Sequence, residues 1–169
     1  MLVFRCTQKL LKRLKVPGPI DLPRSSTQLG DWYANTVFVG RLRLVLFISE
    51  TTMLPVVVTL RESNTLVQRF QRALCEVLEA LQMPEPIVRQ EIDVDGGFAF
   101  GPTASRRVVG VLTELVFMAE VHLRSGKFGS PLDLSLKLSG VPIGRLEHDF
   151  PCDAVRMRLA PSAPKRAIW

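Results

Sequence analysis

The clearest β-strand pattern along the chain lies between residues 31 and 49. Gly40 and Arg41 separate two strand-like stretches there, WYANTVFV and LRLVLFIS, and a two-residue Gly-X loop is typical of a type II′ hairpin turn. This turn pairs Val39 with Leu42 and leaves both faces of the hairpin largely apolar. Because strands that are apolar on both faces are buried on both sides, the pattern predicts a central hairpin.

The remaining periodicities predict the elements around this hairpin. They indicate further strands over residues 2–7, 55–60 and 98–101, and helices over residues 8–15, 61–83, 87–93 and 104–124. Residues 132–138 alternate Leu with polar side chains, which predicts a strand, whereas Pro131 equally suits the first turn of a short helix. Residues 153–159 fit a short helix or a strand.

Together these elements predict one α+β domain over residues 1–160, followed by a disordered tail over residues 161–169. We expect an antiparallel sheet, built on the hairpin and covered by the two long helices. Ser63 or Asn64 is the expected N-cap of the first long helix, and Thr103 or Ser105 that of the second.

The apolar stripe of the second long helix includes a histidine. Val108, Leu115, Met118 and His122 follow the helical period on one side of the residues 104–124. We therefore interpret His122 as a core histidine rather than a catalytic one.

Composition and charge leave two interpretations open. The 169 residues are 47% hydrophobic and 22% charged, which is typical of a folded protein, and the formal net charge is +6. Clustered Lys and Arg neutralise phosphates, so a basic chain is compatible with nucleic-acid binding. A modest net charge also simply keeps a small domain soluble, and no five consecutive basic residues occur.

The cysteines and the hydrophobic runs bear on location and cofactors. Cys6, Cys75 and Cys152 form no CxxC pair, so we expect free thiols in a reducing cytoplasm and no metal site. No stretch supplies the roughly 20 apolar residues of a membrane span. No phosphate loop, nucleophile elbow or zinc-protease motif occurs in the sequence. We therefore expect no cofactor and no membrane partner.

Three polar residues stand out around the hairpin, namely Asp31, Asn35 and Glu50. A buried amide or carboxylate needs hydrogen-bond partners. In a structural interpretation, Asn35 ties the strand to a loop and Asp31 caps a turn. In a functional interpretation, all three side chains point into one cleft.

The start of the second long helix carries Arg106 and Arg107, although positive charge is unfavourable at a helix N-terminus. A carboxylate partner, Asp31 or Glu50, explains the pair most simply. The alternative is an anion bound to the two guanidinium groups and the free amides of the helix.

A short amphipathic helix near the N-terminus supplies the other candidate surface. Its apolar side carries Leu10, Leu11 and Leu14. The candidate nucleic-acid-binding residues are Lys9, Lys12, Arg13 and Lys15 of this helix, together with Arg41 and Arg43 of the hairpin.

Several segments resemble, in order and spacing, a bacterial family known only as a domain of unknown function. They are RCTQKLLKRLK, LGDWYAN, LVLFISETTMLPVVV, FQRALCEVLEAL and GPTASRRVVGVLTELVFMAE. The resemblance covers about residues 3–159, and its most specific parts are RCT-K-LL and LGDWYAN. The segment after Arg106 departs from the family pattern at Arg107, Val111, Thr113 and Glu114. The resemblance implies a compact intracellular bacterial or phage protein of mixed α and β structure, and no reaction.

Three functions follow as hypotheses. The first is a small cytosolic interaction or accessory protein without catalysis, whose partner is another protein and which exposes an apolar patch. The second is a nucleic-acid-binding protein whose basic residues share one face. The third is a hydrolase or nuclease in which Asp31, Glu50 and Arg106 converge.

Overall fold

The computed structural model describes residues 1–16, 21–93, 95–144 and 149–162 of the chain. In these ranges the strands are β1 (Leu2–Cys6), β2 (Trp32–Val39), β3 (Leu42–Ser49), β4 (Pro55–Thr59) and β5 (Phe98–Pro102). The α-helices are α1 (Gln8–Leu14), α2 (Leu66–Ala80), α3 (Glu85–Ile92), α4 (Arg106–Arg124), α5 (Pro131–Ser139) and α6 (Pro151–Leu159).

The predicted hairpin is confirmed, together with its register. Its pairs run from Trp32 opposite Ser49 to Val39 opposite Leu42. Gly40 has a φ of +56°, as the first position of a type II′ turn requires. The strand order is β4-β3-β2-β1-β5, so the hairpin lies inside the sheet. Apolar side chains are buried on both of its faces, as the two-sided hydrophobic pattern predicted.

The sheet is mixed, so the expectation of an antiparallel sheet is wrong. β1 runs parallel to both of its neighbours, with Phe4 opposite Trp32 on one side and Phe100 on the other. A parallel pair needs a crossover connection. Here α1 and the segment that follows it carry the chain from β1 back to the start of β2.

Helices cover both faces of the sheet. One core contains Phe4 and Trp32 of the sheet together with buried residues of α1, α2, α3 and α6. The opposite core contains Tyr33 and Leu46 together with buried residues of α4 and α5. The two long helices α2 and α4 therefore lie on opposite faces, and the architecture is a three-layer α/β/α sandwich.

The segment predicted as a strand over residues 132–138 is the helix α5, so the alternative interpretation is the correct one. Pro131 occupies its first turn, and the Ser130 hydroxyl accepts a hydrogen bond from the Asp133 amide at 3.1 Å. The Ser135 hydroxyl accepts a hydrogen bond from the Val57 amide of β4 at 2.9 Å. The helix thus satisfies a free donor on an edge strand that would otherwise invite pairing with another chain. Residues 153–159 are also helical, within α6.

The cap predictions have different outcomes. The Ser105 hydroxyl accepts a hydrogen bond from the Val108 amide at 3.3 Å and caps α4 as predicted. Ser63 and Asn64 do not cap α2, because they form a 3-10 turn that leads into the helix at Leu66. Such a turn satisfies early amides with i→i+3 bonds, and so replaces a side-chain cap.

Two further expectations concern the tail and the membrane. Residues 163–169 of the predicted disordered tail lie outside the described ranges. In the part of the chain that the structure describes, no helix has both the length and the apolar character needed to cross a membrane.

Candidate functional site

Asp31 pairs with Arg5, where β1 passes the start of β2. The Arg5 Nε donates to Asp31 Oδ2 at 2.6 Å, and the Ser25 amide donates to Oδ1 at 2.9 Å. The side chains of Arg5 and Asp31 are 17% and 5% exposed. Both carboxylate oxygens are therefore engaged below the surface, where they hold β1, β2 and the preceding loop together.

Asn35 lies further along the same junction between β1 and β2. Its Oδ1 accepts hydrogen bonds from the Thr7 hydroxyl at 2.9 Å and from the Thr36 amide at 2.8 Å. The Thr7 amide in turn donates to the Ala34 carbonyl at 3.0 Å. These bonds agree with the structural interpretation of Asn35, since they join β2 to the residue between β1 and α1.

The negative charge of Glu50 acts on the hydroxyl of Tyr33. Burial raises the pKa of the Tyr33 hydroxyl, and the negative charge of Glu50 raises it further. The hydrogen bond from the Ser105 amide to the Tyr33 hydroxyl, 3.1 Å long, opposes that rise. Tyr33 thereby fixes the start of α4 against the sheet.

Arg106 and Arg107 are exposed at the first turn of α4. The expected ion pair of Arg106 with Asp31 or Glu50 is wrong: within the described ranges Arg106 has no ion pair. The physical reason is that Arg5 on the neighbouring strand takes the Asp31 carboxylate. The enzyme hypothesis needs Asp31 and Arg106 to converge, and the structure pairs Asp31 with Arg5 instead.

The described residues also lack a metal centre. Among them no three His, Cys, Asp or Glu side chains lie close enough together to hold an ion. Cys6, Cys75 and Cys152 are free thiols. Burial raises the pKa of the Cys6 thiol to about 12, which keeps it protonated and unreactive at neutral pH.

Glu91 is a buried carboxylate that the sequence pattern did not indicate. It is 1% exposed, and its two oxygens accept hydrogen bonds from the amides of Gln28 and Leu29, each at 3.0 Å. Burial raises the pKa of Glu91, and these two bonds oppose the rise. Its polar neighbours in sequence, Gln90 and Asp93, suggest an exposed segment. Only the helical period places position 91 on the buried side of the helix.

Glu91→Gln is expected to lower the free energy of unfolding by about 1–3 kcal/mol, because the amide nitrogen then faces a buried N–H donor. The contribution of Glu91 to wild-type stability falls as pH rises above 4.5, since the folded form holds this proton more tightly than the unfolded form. The variant lacks this titration, so the pH slope of its stability differs from that of the wild type by the contribution of Glu91. Urea unfolding from pH 4 to 7 measures both effects, and an unchanged slope contradicts the assignment of Glu91.

His122 is not a core residue, so its interpretation as one is wrong. It is half-buried, and its Nε2 lies 3.3 Å from the Nζ of Lys137. Met118, expected on the same buried stripe, is 40% exposed. The reason is that the sheet covers a narrower stripe of α4 than the sequence pattern includes, and both residues flank it.

Three of the six predicted nucleic-acid-binding residues converge on one aromatic ring. Lys9 Nζ lies 4.9 Å, Arg13 Cζ 5.1 Å and Arg43 Cζ 4.8 Å from the centroid of the Phe38 ring. We call Lys9, Arg13, Arg43 and Phe38 the cationic cluster. Phe38 is half-buried and the three cations are exposed.

Local geometry explains this convergence. Phe38 lies directly opposite Arg43 in the hairpin register, near the turn. Lys9 and Arg13 are four residues apart in α1, and therefore share one side of the helix. The guanidinium of Arg43 donates to the carbonyls of Gly40 and Leu42 at 2.8 and 3.1 Å, which holds it in place.

The cluster concentrates positive charge without a counter-ion from the described residues. None of Lys9, Arg13 and Arg43 is ion-paired there. Two cations that each lie about 5 Å from the same centroid are at most about 10 Å apart. At that distance two unit charges in water repel each other by about 0.4 kcal/mol, and at shorter distances they repel more strongly. Attraction to the ring faces offsets part of this repulsion, and a bound anion would offset more.

The other three predicted residues lie outside the cluster. Lys12, Lys15 and Arg41 are exposed, and none of them makes a cation–π contact with Phe38. Phe38 itself was not among the predicted site residues. The register places it opposite Arg43, and that pairing was the sequence signal for it.

Comparison with known protein families identifies the family of the chain. Residues 3–154 match the family described as Domain of unknown function (DUF6933). The chain belongs to the DUF6933 family. The predicted resemblance to a domain of unknown function is confirmed. No curated protein and no solved structure matches the chain significantly.

The two segments that carried the resemblance meet in this DUF6933 domain. RCT contributes Arg5 and Thr7, and LGDWYAN contributes Asp31 and Asn35. These residues form the two side-chain pairs between β1 and β2 described above. In this DUF6933 member, both segments therefore serve the parallel strand pairing.

Proposed function

We propose that this DUF6933 domain is a non-catalytic binding protein that holds nucleic acid through its phosphates. The observation that carries the proposal is the cationic cluster around Phe38. Lys9 and Arg13 come from α1 and Arg43 from β3, so two rigid elements present the three charges at fixed positions. Groups that are already in place lose little entropy when an extended anion binds.

The chemistry of the cluster suits a single strand. Proteins that bind single-stranded nucleic acid combine basic side chains along the backbone with an aromatic ring for a base. Phe38 lies under the three cations, and the planar guanidinium groups of Arg13 and Arg43 over its ring can themselves stack on a base. Arginine and lysine neutralise phosphates and release the counter-ions bound to them, which makes the affinity depend on salt.

The competing enzyme hypothesis has less support. Asp31 is occupied by Arg5 and Ser25, and a general base needs access to its substrate. We also propose a cytoplasmic location for the protein. Its free thiols Cys6, Cys75 and Cys152 suit a reducing compartment.

A triple variant in which Gln replaces Lys9, Arg13 and Arg43 is expected to bind a fluorescent single-stranded oligonucleotide at least about tenfold more weakly at low salt. Each lost phosphate contact changes the slope of log K against log salt by about 0.7, so the slope should flatten by about 2. Fluorescence anisotropy over a salt series measures both quantities.

A second triple variant provides the control. Gln at Arg124, Lys127 and Lys137 removes the same charge from α4, α5 and the loop between them. These elements pack on the opposite face of the sheet from α1, so wild-type affinity and slope are expected. Equal losses in the two variants, or no binding by the wild type at low salt, contradict the proposal.

A further inference from the structure

The second half of α4 is apolar on more sides than the fold covers. Leu115, Ala119 and Leu123 face the core. Phe117, Met118 and Val121 project elsewhere and are 62%, 40% and 51% exposed. A helix that is apolar all round normally has partners all round, and three large exposed apolar residues within five positions mark an interaction site.

These side chains form one wall of a groove between α4 and α5. The groove has a volume of about 430 Å³, which is within the range of ligand and peptide sites. Its apolar lining consists of Phe117, Met118, Val121, Leu134, Leu138 and Val141. The base of the groove is rigid, because its residues Leu134 and Leu138 are also packed in the core.

The polar lining of the groove is basic. Lys127, Lys137 and His122 border it, and no Asp or Glu is among its lining residues in the described chain. Lys137 Nζ lies next to His122 Nε2 at 3.3 Å, so two groups that can carry positive charge share this border. Acidic groups on a partner would meet favourable charges there.

We propose that this groove binds an acidic amphipathic helix of another protein. A groove between two helices can bind the apolar face of a third helix, whose side chains at i, i+3, i+4 and i+7 insert into it. The basic border selects a partner whose flanking residues are Asp or Glu. A second copy of this chain is disfavoured, because its net charge is also +6 and its own groove is basic. The site lies across the sheet from the cationic cluster and does not depend on it.

Two synthetic helical peptides test the proposal. Both carry Leu at i, i+3, i+4 and i+7, and they differ only in having Glu or Lys at the remaining charged positions. Fluorescence anisotropy at 0.1 M salt is expected to show the Glu peptide binding at least about tenfold tighter than the Lys peptide. Equal binding of the two peptides, or no binding of the Glu peptide, overturns the proposal.

Variants assign the binding to the groove. Val121→Glu is expected to weaken the Glu peptide at least about tenfold, because it removes an apolar anchor and adds a like charge. Lys127→Glu with Lys137→Glu should reverse the preference between the two peptides. Thr113→Glu is the matched control, since Thr113 is exposed on the same helix but does not line the groove.

The folding and the oligomeric state of the protein are measured alongside binding. Circular dichroism melts test whether each variant folds, and folding is expected because the substituted positions are all exposed. Sedimentation of the wild type between low and high micromolar concentration tests for self-association. A dimer that is lost in Val121→Glu would mean that the groove binds a second copy, and would overturn the proposal of a heterologous acidic helix.

Discussion

Phe70→Ala is expected to lower the free energy of unfolding by about 3–5 kcal/mol. Phe70 projects from α2 into the sheet and is fully buried. Its ring centroid lies 5.0 Å from that of Phe4, 4.9 Å from Trp32 and 4.7 Å from Phe47. Removing the ring leaves a cavity that three aromatic neighbours on three strands cannot fill, so both the transfer term and the cavity term are large.

Guanidinium chloride denaturation measures the effect of Phe70→Ala. Phe117→Ala is the matched control, because it removes the same ring from an exposed position of another helix. The control is expected to change the free energy of unfolding by no more than about 0.5 kcal/mol. A loss below about 1 kcal/mol in Phe70→Ala would contradict the aromatic core that joins α2 to β1, β2 and β3.

Arg5→Met is expected to destabilise the fold by about 3–5 kcal/mol, since it leaves the buried Asp31 carboxylate without its cation. Arg5→Met with Asp31→Asn is expected to recover a large part of this loss. The asparagine carries no charge, and it retains an oxygen that accepts the bond from the Ser25 amide.

A double-mutant cycle with Arg5→Met, Asp31→Asn and the double variant isolates the coupling energy. The exposed pair of Arg89 and Glu85, 2.5 Å apart, provides the comparison. Arg89→Met is expected to change the free energy of unfolding by no more than about 0.5 kcal/mol, because water screens an exposed pair. Additive effects at Arg5 and Asp31 would show that burial does not couple them.

The stability predictions and the binding proposals concern different parts of the molecule. Asp31 and Phe70 are buried and Arg5 is half-buried, and their loss affects the whole sheet. The cationic cluster and the groove between α4 and α5 are exposed, on opposite faces of that sheet. Substitutions at Lys9 or Val121 are therefore expected to change binding while leaving the melting temperature nearly unchanged.

The sequence determined the elements whose information is local. The Gly40-Arg41 turn sets the register of the hairpin, and alternation along residues 32–49 sets its faces. The long helices follow from the 3.6-residue period, and Ser105 is next to the amide that it caps.

The tertiary structure alone decided what depends on distant residues. The short apolar run of β1 is compatible with a parallel or an antiparallel neighbour, and only its crossover through α1 fixes a parallel one. Residues 132–138 carry a pattern with both periods, and contact with the edge of β4 selects the helix. The sequence pattern offered the arginines of α4 as partners for Asp31, whereas its partner in the structure is Arg5, because β1 lies beside β2.

The candidate site divides in the same way. Sequence pattern singled out Lys9, Arg13 and Arg43 as basic residues, since charge and helical spacing are visible in the chain. Their meeting at Phe38 depends on how α1 packs across the hairpin. Likewise, the period of α4 marks Phe117, Met118 and Val121 as apolar, but the sheet and α5 determine which of them remain exposed. Local periodicity specifies the kind of surface that an element has, whereas the packing of its neighbours decides whether that surface is buried or available to a partner.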